Sequence, residues 1–476
     1  MKSKKSSAVT ACRFAASIRI WAVKKTNAES VVSRLHNTIS RATDYKSSVA
    51  RKKHFSYVLF LSNCIILSLI FLIGCNKRDI ARPTPQIDAG PDFWIRVILI
   101  NNATSSSLLV KSPCTVSQNL PTEASTHLEP ATSALNITAE NGTFTIGNNK
   151  FSSPQITVIP QSPYIFNLNG SDYRGKLMLS ANPDGSSYDV INIVPLEPYL
   201  AGVVGAEMPS YWERAALEAQ AVAARTYCLY IKRHYGSGRN WDVTGTQSNQ
   251  VYLGVSAETK SVWQAVNKTK GQVLVCTQPD GASDLFPAYY SSSCGGHTEN
   301  SQAVFGGDFF EPLRGVPCPY CRLVAKPDYF FWTDILFSKR GVSEKLIQKY
   351  PTLAKLESIT NIIPIKQRDY TVNTGQQLLT ISRLTFLKLV GSNGKTSFVK
   401  AEDLRMTIDP SGRIFKSTVC KIQDANDKWL ITGGRGFGHG CGLCQCGTQA
   451  LARFESKTAP QILSYYYPDS KIAYVY

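Results

Sequence analysis

The sequence predicts an α+β fold with a β-rich N-terminal part, a central helix, a mixed C-terminal part and a substrate cleft. Residues 101–195 alternate β-type runs, such as QITVIP (155–160), with turns rich in Asn, Gly, Ser and Pro. From Glu213 to Tyr235, apolar residues recur at spacings of three and four, which is the period of a helix. With 476 residues, 43% of them hydrophobic, the chain can bury a sizeable core.

Local patterns predict the other elements. FWIRVILI (93–100) is predicted as a strand. Ser210, followed three residues later by Glu213, is a capping-box pattern before the central helix, and Gly236 is placed to end that helix. Further on, the patterns indicate helix over 334–357, strands and turns over 358–422, and short helices over 447–467. We expect 93–476 to form one α+β domain or two interlocked subdomains.

The first 92 residues differ from the rest. Residues 1–50 form an N-terminal extension, which is interpreted either as a misassigned start or as a transit peptide. Residues 51–75 have a basic start and an uncharged apolar stretch, and they end in LIGC, which indicates an export signal resembling a bacterial lipobox with Cys75 as the lipidated residue. The alternative is an uncleaved membrane anchor, since about 20 apolar residues span a bilayer. Residues 76–92 are a linker, and both interpretations place the remainder in the cell envelope, outside the cytoplasm.

The net charge of +18 does not indicate nucleic-acid binding. Residues 1–74 hold 13 Lys and Arg and two acids, which leaves 39 Lys and Arg against 32 acids in the remainder. No basic cluster interleaved with aromatic residues occurs there, so we expect no nucleic-acid partner.

Glu207 is a lone acid in the apolar and small-residue run GVVGAEMP (202–209). Its apolar neighbours are expected to bury it and so to raise its pKa. The N-terminus of the following helix favours the ionised form by roughly 0.3–1 kcal/mol, and we expect burial to dominate. The alternative is that Glu207 only caps that helix.

Five segments together resemble the SpoIID/LytB family of sporulation-type cell-wall proteins. They are LEPYLAGVVGAEMPSYWERAALEAQAVAARTY (196–227), QVYLG (250–254), YYSSSCGGHTE (289–299), GRGFGHGCGLCQCGTQALA (434–452) and ILSYYYP (462–468). The resemblance implies a lytic transglycosylase that cuts peptidoglycan glycan strands stripped of their peptides, with Glu207 as catalytic acid. Other members were named as enhancers of wall amidases, so the second hypothesis is a non-catalytic wall-binding partner of an amidase.

A solitary acid suits this chemistry. Hydrolytic glycosidases usually need two carboxylates. In a lytic cut the sugar's own C6 hydroxyl replaces water as the attacking group, an intramolecular step whose effective molarity can reach about 10⁵ M or more. No cofactor is needed for such a reaction.

Two glycine-rich loops are predicted to line the substrate groove, 291–297 and 436–446. His439 in GFGHG is expected to hydrogen-bond a sugar or assist proton transfer, although a lone histidine is also often structural. Arg225, on the central helix, is a further candidate, with packing as its alternative role. The predicted substrate-binding residues are Arg225, Ser291, Ser292, Gly295, Gly296, Gly438, His439 and Gln445.

The cysteines suggest a structural zinc site. The zinc site of some family members, just before the QVY motif, is absent here, because Thr244, Ser248 and Asn249 occupy its positions. A Cys-x2-Cys pair with distant cysteines is a common zinc arrangement. The predicted ligands are Cys294, Cys318, Cys321 and Cys444. The alternatives are disulfides or a CPYC redox motif.

Overall fold

The computed structural model describes residues 93–118, 125–278, 281–373, 375 and 378–476. The predicted extension (1–50), export signal (51–75) and linker (76–92) lie outside these residues and stay predictions. The described part is α+β, as predicted. Within these ranges no helix combines the length and apolar character needed to cross a membrane.

Residues up to 195 form two antiparallel sheets. The strands are β1 (Trp94–Ala103), β2 (Ser106–Leu109), β3 (Cys114–Gln118), β4 (Ser125–Leu128), β5 (Leu135–Glu140), β6 (Thr143–Ile146), β7 (Asn149–Phe151), β8 (Gln155–Pro160), β9 (Ile165–Leu168), β10 (Ser171–Arg174), β11 (Lys176–Ala181) and β12 (Tyr188–Pro195). Six of them join β13 (Val243–Thr244) in the order β13-β1-β12-β11-β8-β3-β4, where β13 pairs in parallel with β1. The other six have the order β10-β9-β2-β5-β6-β7.

Alternating burial explains why these residues form strands. Along β8 every second side chain is buried, starting with Ile156 and Val158, and its neighbours are partly exposed. Ile156 and Val158 share a core with Phe144 of β6 and Leu177 of β11. The β-rich entry region predicted from the sequence is therefore confirmed.

Three helices follow the sheets, α1 (Leu196–Glu207), α2 (Arg214–Tyr235) and α3 (Lys260–Lys268). The predicted central helix is α2, which ends at Gly236 as expected. Its N-cap is Glu213, whose side chain makes no capping bond, so the capping box of Ser210 and Glu213 was wrong. Helix α1 was not predicted. Residues 196–204 are buried with the single exception of Glu197, so this helix has no polar face to reveal its period.

The remaining elements complete the mixed C-terminal part. They are β14 (Gln272–Thr277), β15 (Ser283–Leu285), β16 (Tyr290–Ser291), α4 (Ser301–Phe305), α5 (Pro327–Phe330), β17 (Phe331–Trp332), β18 (Ile335–Ser338), α6 (Lys339–Lys349), β19 (Ile359–Asn373), β20 (Leu378–Gly391), β21 (Thr396–Lys400), α7 (Ala401–Ile408), β22 (Val419–Ala425), β23 (Lys428–Arg435), β24 (Leu443–Cys444), α8 (Gln445–Phe454), α9 (Ala459–Tyr466) and β25 (Lys471–Tyr474).

Most of this part agrees with the sequence prediction. The helices near the C-terminus, α8 and α9, are confirmed. The segment 334–357 begins with a strand, β18, which pairs with β23, and becomes helical only from Lys339. The segment 358–422 consists of strands and turns, as expected, apart from helix α7, which was missed.

Three main hydrophobic cores organise the described residues. The first lies between the two N-terminal sheets. The second surrounds α2 and contains α1, α3 and α9. The third lies among β18–β23, α6 and α7, around Trp429 and Leu387. The residues of the candidate site come from the second core and from the loops beside it.

Candidate active site

Glu207 is the last residue of α1, not a residue at the start of the helix that follows. The next residue, Met208, is extended (φ −128°, ψ 142°) and precedes Pro209, which disfavours helical geometry in the residue before it. The carbonyl end of a helix carries partial negative charge and disfavours a carboxylate. The expected helix effect on Glu207 therefore had the wrong sign, because the nearest dipole favours the protonated acid.

Two glycines of α1 allow a neighbouring segment to approach the helix closely. A Cβ on Gly202 would lie 2.5 Å from the ring of Tyr252, and a Cβ on Gly205 would lie 2.0 Å from the carbonyl oxygen of Ala257. Only glycine, which has no Cβ, therefore fits at both positions. The close approach brings the backbone of Val251 to Glu207 and explains the small-residue run before the acid.

The Glu207 carboxylate accepts two hydrogen bonds. The backbone N–H of Val251 donates to Oε1 over 2.9 Å, and Nε2 of Gln445 donates to Oε2 over 3.3 Å. Burial raises the pKa of Glu207, and these two hydrogen bonds oppose that rise without cancelling it. The residue nevertheless stays partly exposed, so it is neither sealed in the protein nor immersed in bulk water.

A buried polar network fixes the segment that contains Val251. The Tyr199 hydroxyl donates to Oε1 of Gln250 over 2.9 Å, and Nε2 of Gln250 donates to the Tyr290 hydroxyl over 2.9 Å and to the Ala224 carbonyl over 3.2 Å. This network links α1, α2, the 250–254 segment and β16. Sequence analysis did not assign Val251 or Gln250 a role, although the QVYLG motif was a signal for both.

The two predicted loops, 291–297 and 436–446, lie side by side. Strands β16 and β24 pair in parallel, with Ser291 opposite Cys444. Ser293 and Phe437 exchange two backbone hydrogen bonds of 3.0 and 2.7 Å. The backbone N–H of Gly440 donates to the Ser291 hydroxyl over 3.2 Å.

One of these loops, 436–446, also reaches the acid. Ser291 and Gln445 are buried, whereas Ser292 is partly exposed. Of the predicted substrate-binding residues, Gln445 contacts Glu207 directly.

His439 is a neutral side chain in this arrangement. Burial lowers its pKa to about 4. Nδ1 accepts a hydrogen bond from the backbone N–H of Cys441 over 3.0 Å, so the ring proton lies on Nε2. Tyr289 and Phe305 contact the ring edge to face, with centroids at 5.9 and 5.1 Å. Gly438 has φ +100°, and a Cβ there would lie 2.9 Å from Cβ of Ser291, so this position requires glycine.

Three predicted substrate-binding residues have internal roles instead. Arg225 is fully buried and pairs with both carboxylate oxygens of Glu197, at 2.9 and 2.6 Å, so packing is its role. Gly295 and Gly296 are buried. A Cβ on Gly296 would lie 2.3 Å from the side chain of Ile381, and one on Gly295 would lie 3.0 Å from the carbonyl of Arg435. Protein therefore covers the positions at which a substrate was expected.

The four predicted metal ligands form a group, here called the cysteine cluster: Cys294, Cys318, Cys321 and Cys444. Their sulfur atoms all lie within 4.8 Å of one another, and all four side chains are fully buried. No disulfide occurs among the described cysteines. Cys228 and Cys276, outside this cluster, are also buried.

Comparisons with known proteins identify relatives of this chain. The SpoIID family model, described as Stage II sporulation protein, matches residues 184–276, a range that includes Glu207 and Val251. An uncharacterized protein of Brachyspira hyodysenteriae is 32% identical over 63% of this chain and 72% of its own length.

Two Bacillus subtilis proteins are also similar to the chain. The amidase enhancer is 28% identical over 71% of this chain and 49% of its own length. The stage II sporulation protein D is 29% identical over 59% of this chain and 75% of its own length. The resemblance expected from the sequence motifs is therefore confirmed, and the chain belongs to the SpoIID/LytB family.

Proposed function

We propose that this protein is a peptidoglycan lytic transglycosylase in which Glu207 is the general acid and then the base. The observation that carries the proposal is the environment of this one acid. Glu207 is partly exposed, its pKa is raised by burial, and both of its hydrogen-bond partners are donors.

The proposed reaction uses Glu207 twice. Protonated Glu207 gives its proton to the glycosidic oxygen as the bond from that oxygen to the anomeric carbon breaks. The C6 hydroxyl of the same sugar then attacks the anomeric carbon, and its proton returns to the Glu207 carboxylate. One bond is broken, one is formed and no water is consumed, so the product is a 1,6-anhydro end.

The donors around Glu207 serve the second half of this cycle. The Val251 N–H and the Gln445 carboxamide stabilise the carboxylate after it has lost its proton, and each such hydrogen bond to a charged group contributes about 1.5–3 kcal/mol. Burial and the carbonyl end of α1 favour the protonated form needed at the start. Because burial favours the protonated acid and the two donors favour the carboxylate, Glu207 can both give up a proton and take one back.

A second candidate function is enhancement of a wall amidase without cleavage of glycan. The similarity to the Bacillus subtilis amidase enhancer favours it. In this case, the protein binds glycan strands or an amidase, and the polar groups around Glu207 contribute to binding alone.

Product analysis separates the two functions. Purified full-length protein is incubated with denuded glycan strands, and the ends are identified by mass spectrometry. We expect new ends that are lighter by one water than hydrolysed ends. Denuded strands that stay intact, together with faster peptide release from peptide-bearing peptidoglycan when the protein is added to a wall amidase, would support the enhancer function and contradict the transglycosylase.

We further propose that the protein acts in the cell envelope, tethered through a lipid on Cys75. The proposal depends on the LIGC sequence at 72–75. Metabolic labelling with a fatty acid should mark the wild type and not Cys75→Ala. Equal labelling of both proteins would contradict lipidation at this residue.

A further inference from the structure

We propose that the cysteine cluster is a tetrahedral zinc site that joins three separate segments beside the candidate active site. Zinc–sulfur bonds are about 2.3 Å long, and the edge of a tetrahedron with that radius is about 3.8 Å. The sulfur atoms of Cys294 and Cys321 are 3.8 Å apart, and no pair in the cluster exceeds 4.8 Å. A contraction of at most about 1 Å therefore brings all four sulfur atoms to zinc-binding separations.

The composition of the cluster favours zinc over other cations. Four thiolates suit zinc or iron, whereas magnesium and calcium require oxygen ligands. All four cysteines are fully buried, as in closed structural sites with no position left for water. A divalent ion would stabilise the four groups as thiolates, the form in which cysteine binds a metal.

Neighbouring donors complete the site. The backbone N–H of Cys294 donates to the sulfur of Cys444 over 3.3 Å. The Tyr466 hydroxyl lies 3.2 Å from the sulfur of Cys318. Donors that contact ligand atoms in this way orient the thiolates and offset their negative charge.

The redox alternative for CPYC does not suit this environment. A reactive cysteine is partly exposed, so that its thiolate meets a substrate or a second protein. Cys318 and Cys321 are both fully buried, within a core that also includes Tyr466. The structure therefore favours a structural role for this pair.

The zinc site would fix the loops that contain the acid's partner. Cys444 is the N-cap of α8 and directly precedes Gln445, whose side chain donates to Glu207. Cys294 lies three residues after Ser291, within the adjoining loop 291–297. Cys318 and Cys321 come from a third segment, so one ion would connect three parts of the chain that have no disulfide among the described residues. This role does not depend on the proposed reaction.

Metal analysis of the full-length protein, purified without added metal or chelator, tests the proposal. We expect one zinc per chain. The Cys318→Ser/Cys321→Ser double variant should lose it, whereas the control Cys446→Ser should keep it, because Cys446 lies two residues from Cys444 but outside the cluster. Absence of zinc from the wild type, iron in its place, or full zinc retention by the double variant would overturn the proposal.

A thiol count keeps the test valid if the double variant does not fold. Wild-type protein is denatured with chelator and without reductant, and free thiols are measured. If the cluster binds zinc, all four of its cysteines should be measured as free thiols. In a separate measurement, treatment of native protein with chelator should lower the midpoint of thermal unfolding. Thiols that appear only after reduction would establish disulfides and overturn the proposal, as would an unchanged midpoint after the metal is removed.

Discussion

Replacement of Gly205 by alanine tests how the acid is positioned. In an unconstrained helix, this substitution stabilises by up to about 1 kcal/mol, because alanine has the higher helix propensity. Here the new Cβ would lie 2.0 Å from the carbonyl oxygen of Ala257, whereas carbon and oxygen normally approach to about 3.3 Å. Helix α1 and the short 3₁₀ helix Gly254–Ala257 must therefore separate by about 1.3 Å.

The strain should exceed the propensity gain. Overpacking of this kind costs about 1–3 kcal/mol, so we expect net destabilisation of up to about 2 kcal/mol. The same displacement moves the Val251 N–H away from Glu207, and an error of about 1 Å in a catalytic site can reduce the rate about 100-fold.

The assay compares the midpoint of thermal unfolding and the rate of anhydro-end formation with those of Gly238→Ala, where a Cβ meets nothing within 4 Å. A Gly205→Ala protein that is more stable than the wild type and equally active would refute the reasoning.

Three further predictions concern charges in and near the site. Glu207 must be protonated to act, and its pKa is raised, so kcat/KM for glycan cleavage should fall as pH rises through that pKa. A pH–rate profile measures this, and a rate that increases with pH would contradict it. Gln445→Ala removes a donor to the carboxylate and should shift that fall to higher pH, and an unshifted profile would show that the contact is unimportant. Arg225→Met leaves Glu197 without its buried partner and should reduce the free energy of unfolding by about 3–5 kcal/mol in chemical denaturation. Arg340→Met, which removes an exposed pair with Glu344, should cause no measurable change, and equal effects would contradict the difference in burial.

Periodic patterns predicted the elements that have one buried face. The strands of the N-terminal sheets alternate between buried and exposed side chains, and the sequence shows this period directly. Helix α1 stayed hidden because it is buried on nearly all sides, so its sequence has no polar face. Because α1 was not predicted, Glu207 was expected beside the N-terminus of a helix, whereas it lies at the C-terminus of one.

Contacts between distant residues limited the prediction of the site. Gln445 and Glu207 are 238 positions apart, and only the fold shows that they are hydrogen-bonded. The ion pair of Arg225 could not be predicted, because its partner, Glu197, lies on the unpredicted α1. The burial of Gly296 depends on Ile381 of β20, whose position no local pattern indicates.

The cysteine cluster could be predicted because its residue types are specific. A Cys-x2-Cys pair restricts the geometry of two ligands, and few side chains other than cysteine and histidine complete such a set. The structure places Cys294 and Cys444 beside Cys318 and Cys321, as the zinc prediction requires, while the metal itself stays a proposal.

Comparison of Glu207→Gln with Glu213→Gln on denuded glycan strands tests the central claim most directly. Both substitutions remove one carboxylate, but Glu213 is exposed and makes no capping bond. General acid catalysis typically contributes about 10²–10⁴-fold, so Glu207→Gln should form anhydro ends at least about 100-fold more slowly, while Glu213→Gln matches the wild type. A Glu207→Gln protein that keeps its fold and cleaves at the wild-type rate would contradict the account.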